Sequence, residues 1–511
     1  MKLYVSLAFN NHDSSVAIAD DQKILLVLEA ERYFRIKKLG CDIQQMEQLI
    51  TAALRCVGYS LNAVAGWSMT TLNNLYLPSE ERYTPEAEWR TANVLGKKRK
   101  VLIVNHHFAH ACSYYALPIK EALINSCDGG GDPGERNFFY QARGSEIRKL
   151  PCDTSQMITA KFYDIASQYV YNAPHSEGKL MALAAFGNYR NDYANYLKQG
   201  IPLLSAYPYK ECFKYFDKKF EKLRGTGSIP LQQTKDLAAT VQVIFETERF
   251  RNIKSVTDKL NNFKNFLLVG GSALNIKLNS LLYKNYPGKY IFIPPSCDDS
   301  GQALGALLCY GVKVFGKRFR TDLPFLGYSE ISKVNNEVID KVAHYLTSGE
   351  IIAWHYGKAE IGPRALGHRS FLASATSLKI KEILSEKIKG REKYRPVAPI
   401  ILEQYVSQWF HKPDHSPFML FVSKAKAITK RKAPAALHID GTARIQTVTR
   451  ISNPVMFKIL KKYYTITGIP LILNTSLNLR GHPISNSEYD TIDLKTKVNY
   501  PIKAFINGKE V

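Results

Sequence analysis

The stretch "FLLVGGSALN", Phe266–Asn275, decides the fold. Its first four residues are apolar and read as a buried strand. Gly270 and Gly271 make a tight turn, and the residues from Ser272 to Tyr283 have helical spacing. The whole unit, Asn261–Tyr283, is strand, glycine turn, helix. Glycine lets the backbone come close to an anion, and a helix N-terminus supplies N–H donors. Working outward, "YIFIPPSCDDSGQALGALLCYG" (Tyr290–Gly311) repeats the pattern. Upstream, "KLYVSLAF" (Lys2–Phe9), "SSVAIAD" (Ser14–Asp20) and "KILLVLEAE" (Lys23–Glu31) read as consecutive strands with polar turns. "QQMEQLITAALRCVG" (Gln44–Gly58) and "TKDLAATVQVIFETERF" (Thr234–Phe250) have helical spacing. "KVLIVNH" (Lys100–His106) is a strand, and "KEALINSCDGGGD" (Lys120–Asp132) is a strand ending in a glycine turn. Strands alternating with helices make the class α/β.

Three turns share one chemistry. "AFNNHDSSVAI" puts His12, Asp13, Ser14 and Ser15 between two strands. "SCDGGGDPGERNFFY" puts Asp128, Gly129, Gly130 and Gly131 there. "VGGSALN" offers Gly270, Gly271 and Asn275. A single glycine turn is usually structural. Hairpin phosphate loops followed by a late strand–glycine pair–helix unit resemble the layout of the actin- and hexokinase-like ATPase fold, by analogy. The pattern loosens around Phe315–Asn336, and "GEIIAWHYG" (Gly349–Gly357) starts a fresh strand. Two domains are therefore expected, 1–330 and 331–511.

The chain has 511 residues, 45% hydrophobic and 22% charged, a globular composition. No apolar run approaches the ~20 residues of a membrane-spanning helix. The N-terminus lacks a signal peptide's apolar length and cleavage site, so the expected location is cytoplasmic. The eight cysteines include no CxxC pair and are expected to be reduced. A net charge of +24 points to anionic partners. Part of it lies in "GKKRKV" (Gly96–Val101) and "YKECFKYFDKKFEKLRG" (Tyr209–Gly225), which read as solvated basic faces. No zinc-finger, RRM or KH signature is present, so nucleic acid is the minority reading.

"VNHHFAHACSYY" (Val104–Tyr115) holds three histidines. His106 and His110 are one helical turn apart, a chelating spacing. Two imidazoles need carboxylates to hold a metal. Asp128 and Asp299 follow apolar runs, with Asp298 a rival for the latter. The spacing leaves open whether these are ligands or satisfied helix histidines.

The second half is more specific. "EIGPRALGHRSFLASAT" (Glu360–Thr376), "KIKGREKYRPVAPIIL" (Lys387–Leu402), "HIDGTARIQTV" (His438–Val448) and "LILNTSLNLRGHPI" (Leu471–Ile484) resemble successive signatures of the O-carbamoyltransferase family of nodulation-factor and antibiotic enzymes. "HDSSVAI", "HHFAHACSYY", "DGGGD", "HSEGKLMALAAFG" (His175–Gly187), "FLLVGGSALN" and "CDDSGQALGAL" agree, in order. The resemblance implies an N-terminal threonylcarbamoyltransferase-like part with the actin-like ATPase fold and a C-terminal YrdC-like twisted α/β domain. It implies that the C-terminal domain joins carbamoyl phosphate and ATP into carbamoyl-adenylate, and that the N-terminal domain passes the carbamoyl group to an acceptor hydroxyl.

By the same resemblance the metal ligands are His106, His110, Asp128 and Asp299, holding Fe(II) or another divalent ion, with Mg(II) for ATP. His12 stands as general base, and Lys389 and Arg395 as catalytic cations. Asp13, Gly129, Gly130, Glu177, Lys179, Gly270, Gly271, Asn275, Arg364, Arg444 and Ser476 line substrate or nucleotide. Arginine forks and a lysine point charge suit phosphate oxygens. This chain departs from the family pattern at His368, Val397 and Leu477. The implied partners are carbamoyl phosphate, ATP and a hydroxyl-bearing small molecule or glycan, and a homodimer is compatible with the chain. The rival readings are a tRNA threonylcarbamoyl-type enzyme, mildly favoured by the charge, and a non-enzymatic nucleotide-binding regulator.

Overall fold

The computed structural model describes residues 2–132, 135–260 and 263–511. Pro133 and Gly134 of the glycine turn, and Asn261 and Asn262 at the head of the Asn261–Tyr283 unit, lie outside the described residues. The chain forms two compact units. One comprises the stretch ending at Ile119, with Pro294–Arg391 and Val397–Val511. The other comprises Lys120–Ile293 and Glu392–Pro396.

In the first unit, β1 (Leu3–Ala8), β2 (Ser15–Ala19) and β3 (Ile24–Glu29) form an antiparallel meander, as their polar turns require. A short helix α1 (Ala30–Phe34) leaves β3. Helix α2 (Ile43–Cys56) starts at Asp42, which accepts the Gln45 N–H while the Gln45 side chain accepts the Asp42 N–H. Its Met46, Leu49, Ile50 and Ala53 are buried in one cluster with the sheet residues Leu3, Val5, Leu7, Val16 and Ile18. Next come β4 (Val64–Thr70), β5 (Ala87–Val94) and β6 (Lys97–Val104), and α3 (His106–Cys112) leaves β6. The sheet order is β3-β2-β1-β4-β6-β5, with β1, β4 and β6 parallel. The basic stretch 96–101 falls on the β5–β6 hairpin.

The second unit is built on β7 (Glu121–Cys127), β8 (Asn137–Arg143), β9 (Glu146–Lys149), β10 (Asn265–Val269) and β11 (Tyr290–Phe292), in the order β11-β10-β7-β8-β9. Its helices include α4 (Ala160–Tyr171), α5 (Glu177–Ala184), α6 (Tyr209–Phe220), α7 (Gln232–Thr257) and α8 (Ile276–Asn285). Helix α6 buries Cys212, Phe216 and Phe220 and leaves Lys210, Lys214 and Lys218 exposed, the solvated basic face expected of 209–225. Because β7 and β10 are parallel, their ends lie side by side. Gly270 then runs so close to β7 that an added Cβ would lie 2.3 Å from the Cys127 carbonyl oxygen, at φ +86. A Cβ on Gly130 would meet nothing within 4 Å. We therefore expect Gly270→Ala to cost upward of roughly 3 kcal/mol and Gly130→Ala within about 0.5 kcal/mol. Urea titration of both variants checks this, and equal midpoints would refute it.

The first unit resumes with α9 (Gln302–Phe315), an almost wholly apolar helix packed on β1, β2, β4 and α3. The stretch between Phe315 and α10 (Asn336–Thr347) has no helix or strand, as the sequence suggests. It is nonetheless tied along β3, where Ile24 N–H donates to Arg320 O and Val27 N–H to Leu326 O. A cut near residue 330 thus falls inside this unit. The remaining strands are β12 (Ile352–His355), β13 (Arg369–Ala373), β14 (Ala398–Leu402), β15 (Ser423–Lys424), β16 (Thr442–Ala443), β17 (Gln446–Val448), β18 (Leu471–Ser476), β19 (Lys503–Ile506) and β20 (Lys509–Glu510). Seven of them make a mixed sheet, β17-β14-β18-β13-β12-β19-β20, whose core includes residues of α10 and α11 (Pro454–Thr467). Helix α12 (Glu488–Lys497) packs on β12 and β19. Among the described residues no helix is long and apolar enough to cross a membrane. No disulfide joins the eight cysteines.

Two buried histidines make this unit acid-sensitive. His355 lies 2.7 Å from both Glu330 Oε2 and Thr491 Oγ1. Burial pushes it down to about 4, against the pull of Glu330. His368 donates from Nδ1 to Lys358 O at 2.6 Å, the tautomer that a carbonyl partner requires, and its ring stacks on Phe325. Burial takes it to about 4 as well. Both values lie below the ordinary 6.5, so the unfolded chain takes up these protons first. Their stabilisation is complete above about 6.5 and is lost as pH falls toward 4, by up to roughly 3 kcal/mol each. Melting temperature should fall over that window, and the fall should be shallower in His355→Gln. Equal slopes would remove His355 as a cause.

Candidate functional site

The His106–His110 helix is set by its ends. Asn105 caps α3 by accepting the Phe108 N–H, and the His106 N–H donates to Thr71 Oγ1 at 3.0 Å. Against α3 packs α9, where a Cβ on Gly305 would lie 2.0 Å from Ala109 O. The turn before α9 carries Asp298 and Asp299. The Nε2 atoms of His106 and His110 lie 3.5 and 3.3 Å from one oxygen, Asp299 Oδ1. All three side chains are buried. Among the described residues Asp299 Oδ1 accepts no hydrogen bond of good geometry. Two donors about 2.1 Å from a common ion at tetrahedral angles are ~3.4 Å apart. These residues fit a divalent ion. His107, also buried, has its ring 5.2 Å from that of His106 and 6.4 Å from that of His110, but it is not in the group of donors that could share an ion.

Beside the cluster, Asp13 sits at φ +59, a left-handed conformation that an aspartate tolerates. Its Oδ2 is 2.9 Å from His12 Nδ1 and 2.5 Å from Lys38 Nζ. Lys38 also lies 3.8 Å from Asp298 Oδ2, and Asp298 Oδ1 accepts from Ser300. So Asp299 is turned to the histidines and Asp298 to Lys38. Burial lowers His12, but the Asp13 bond and the Asp299 charge outweigh it and hold the imidazole protonated up to about 9. The ordinary imidazole value behind its assignment as a base therefore does not apply here without a cation. A divalent ion on Asp299 would cancel part of that pull. Lys38 is the residue the sequence reading missed. It lies in "RIKKLG", and nothing in that stretch marks which lysine turns inward.

A second cluster lies on the seven-stranded sheet. Lys389 is 1% exposed. Its ammonium donates to the carbonyl oxygens of Ser476 and Asn478, to Asn478 Oδ1 and to Ser476 Oγ, the last at 3.2 Å. Arg391 reaches Thr475 Oγ1 and Ser476 Oγ at 3.2 and 3.3 Å. Lys389 and Ser476 are thus brought together, and Arg391 and Asn478, inside the same quoted motifs, join them. Arg364 and Arg444 are half-buried, Arg364 in the Glu360–Arg369 loop and Arg444 between β16 and β17.

The other expected residues belong to the second unit. Asp128 accepts the Gly129 N–H at 2.5 Å and the Gly271 N–H at 2.7 Å, locking the two glycine turns together. Asn275 caps α8 and bonds Gln242. Glu177 opens α5. Lys179 lies 3.6 Å from Glu392, which is 3.9 Å from Arg395. Arg395 thus stands with Lys179 in this unit rather than with Lys389. Tyr394 bonds Tyr171 and Gly227 O.

Two family models match the chain, "Carbamoyltransferase N-terminus" over residues 54–308 and "Carbamoyltransferase C-terminus" over 343–506. The chain is 28% identical to nodulation protein NolNO of Sinorhizobium fredii over 94% of its length and 76% of the relative's. It is 30% identical to nodulation protein NolO of Bradyrhizobium diazoefficiens, covering 76% of this chain and 75% of that one. A solved structure of HypF from T. kodakarensis aligns with 62% of this chain and 48% of its own at 14% identity, with a TM-score of 0.34. The chain belongs to the carbamoyltransferase family and is a transferase enzyme.

Proposed function

We propose that this carbamoyltransferase is ATP-dependent and works in two half-reactions. The observation that carries the reading is the buried His106, His110 and Asp299 donor set beside His12, Asp13 and Lys38. Two imidazoles and a carboxylate suit Fe(II) or a similar divalent ion. Asp128 is the fourth ligand on the sequence resemblance. Such an ion would supply positive charge to the phosphate oxygens of the nucleotide leaving group.

The first half-reaction belongs to the YrdC-like part, 331–511. Water hydrolyses carbamoyl phosphate to carbamate and inorganic phosphate, a carbamate oxygen then bonds to the α-phosphorus of ATP, and pyrophosphate leaves. Lys389 and Ser476 shape that site, and Arg364 and Arg444 bring cations to the phosphates. The second belongs to the actin-like part, 1–330. There the oxygen of an acceptor hydroxyl bonds to the carbamoyl carbon, its proton passes to His12, and AMP departs. Asp13 fixes His12 through Nδ1, and Lys38 holds Asp13. Gly129, Gly130, Gly270, Gly271, Glu177 and Lys179 line the nucleotide. The acceptor is a hydroxyl of a small molecule or glycan, and the need for ATP as donor suits a cytoplasmic reaction.

The test is exchange of labelled pyrophosphate into ATP. Exchange that depends on carbamoyl phosphate is expected from the purified chain. A folded, metal-loaded protein without it would refute the reading.

A further inference from the structure

A buried ion pair at the start of α1 touches neither polar cluster, yet it holds the loop that runs between them. Glu29 and Arg32 are 5% and 3% exposed. Arg32 Nε is 2.6 Å from Glu29 Oε2. Its Nη1 donates to Glu360 O and its Nη2 to Gly362 O, both at 2.6 Å. The other Glu29 oxygen accepts the Gly362 N–H, also at 2.6 Å. Both backbone groups of Gly362 are thus held by two side chains. On its other side an added Cβ would lie 2.2 Å from Pro295 O, at φ +88, so no side chain fits and the loop rests on the Pro295 backbone.

That backbone leads directly to Asp298 and Asp299. Downstream the loop enters β13, where Ser370 pairs with Ser476 and Arg369 O accepts the Leu477 N–H. Ser476 is the residue whose carbonyl and hydroxyl hold Lys389. One end of the loop therefore abuts the carboxylate turn and the other abuts the lysine cluster. An apolar pair could fill the space of Glu29 and Arg32, but it would take these partners from the Glu360 and Gly362 carbonyls and the Gly362 N–H. It could not fix a glycine by both its N–H and its carbonyl.

We propose that Glu29 and Arg32 are positioning residues, whose clamp on Gly362 seats the Glu360–Arg369 loop and so sets the geometry of both clusters at once. The kinetic part of this rests on the function proposed above, and the metal part rests only on the His106, His110 and Asp299 donors.

The experiment compares Arg32→Met with the double variant Arg32→Met, Glu29→Gln in the full chain. Arg32→Met leaves a buried carboxylate unpaired and should melt lower. The double variant removes that charge, and the glutamine amide oxygen can still accept the Gly362 N–H, so its melting temperature should recover toward wild type. Co(II) affinity and carbamoyl-phosphate-dependent pyrophosphate exchange should stay at least tenfold down in both variants. Recovery of both readouts together with melting temperature would make the pair structural only and overturn the proposal, as would loss at one cluster alone. If the double variant does not recover, Arg32→Lys decides by the same readouts. Lysine keeps a charge beside Glu29 but cannot fork to two carbonyls. Wild-type chain that binds Co(II) without exchange activity would sink the proposed function, and the Co(II) arm alone would then decide the clamp. Wild-type chain that exchanges without binding Co(II) would sink the metal site, and the exchange arm would decide.

Discussion

His106→Ala is expected to bind divalent metal far more weakly and to transfer carbamoyl groups about a thousandfold more slowly, while still forming carbamoyl-adenylate. The substitution removes one of two nitrogens aimed at Asp299 Oδ1. What remains, the proposed Asp128 included, is one imidazole and two carboxylates, and losing an imidazole from a four-donor set sharply lowers affinity for such a divalent ion. Loss of the charge that offsets the departing phosphate is worth on the order of 4 kcal/mol, close to three decades. Adenylate formation should survive, because Lys389 and Ser476 lie on a different sheet. His107→Ala is the control. His107 is fully buried, so its truncation should lower stability by ~1–3 kcal/mol and leave metal content intact. Elemental analysis, pyrophosphate exchange and a transfer assay on each variant decide. A His106→Ala protein with full metal and full transfer would make the histidines structural. One that is folded but has lost both half-reactions would end the two-site division.

Lys389→Ala is expected to reduce carbamoyl-adenylate formation about a hundredfold, roughly 3 kcal/mol at the transition state. It should also lower stability, since the ammonium holds two carbonyls and the Asn478 amide oxygen in a buried setting. Ser476→Ala separates the two effects. It removes one hydroxyl that Lys389 and Arg391 share and leaves the carbonyl contacts in place. It should melt near wild type and lose exchange by about tenfold. Metal content should be unchanged in both. Near wild-type exchange in Lys389→Ala would withdraw this lysine from the chemistry.

Local pattern made most of the fold legible. Apolar runs between polar turns gave β1, β2 and β3 in place, and helical spacing gave α2 to within two residues and α7 seven residues short at its C-terminal end. The glycine pair after β10 was readable because positive φ and close backbone approach leave few alternatives. The grouping into units was not legible. Composition shifts along a chain say nothing about which strand pairs with which, and the loose stretch after Phe315 is hydrogen-bonded to β3 rather than spanning a gap. At the site, HxxxH spacing found two donors, and the geometry of the Asp298–Asp299 turn separated those neighbours. Lys38 escaped because one lysine among 69 Lys and Arg residues has no period to betray it. Arg395 was grouped with Lys389 by motif, but the chain changes unit between Arg391 and Glu392.

The placement of α9 has a consequence for biosynthesis. The sheet β1–β6 is complete by Val104, but the helix that covers β1, β2 and β4 begins only at Gln302. In between, the ribosome must deliver all of Lys120–Ile293, which belongs to the other unit. The face of Val5, Leu7 and Ile18 is closed early by α2, but a nascent chain carries the opposite face, with Tyr4, Ala17 and Ala19, bare for well over a hundred codons. At ~5–20 residues per second that is an interval of about ten seconds or more, long enough for a holdase to bind. The histidines of α3 emerge during that interval, before Asp299 exists, so loading of the proposed ion would have to follow translation of the α9 turn.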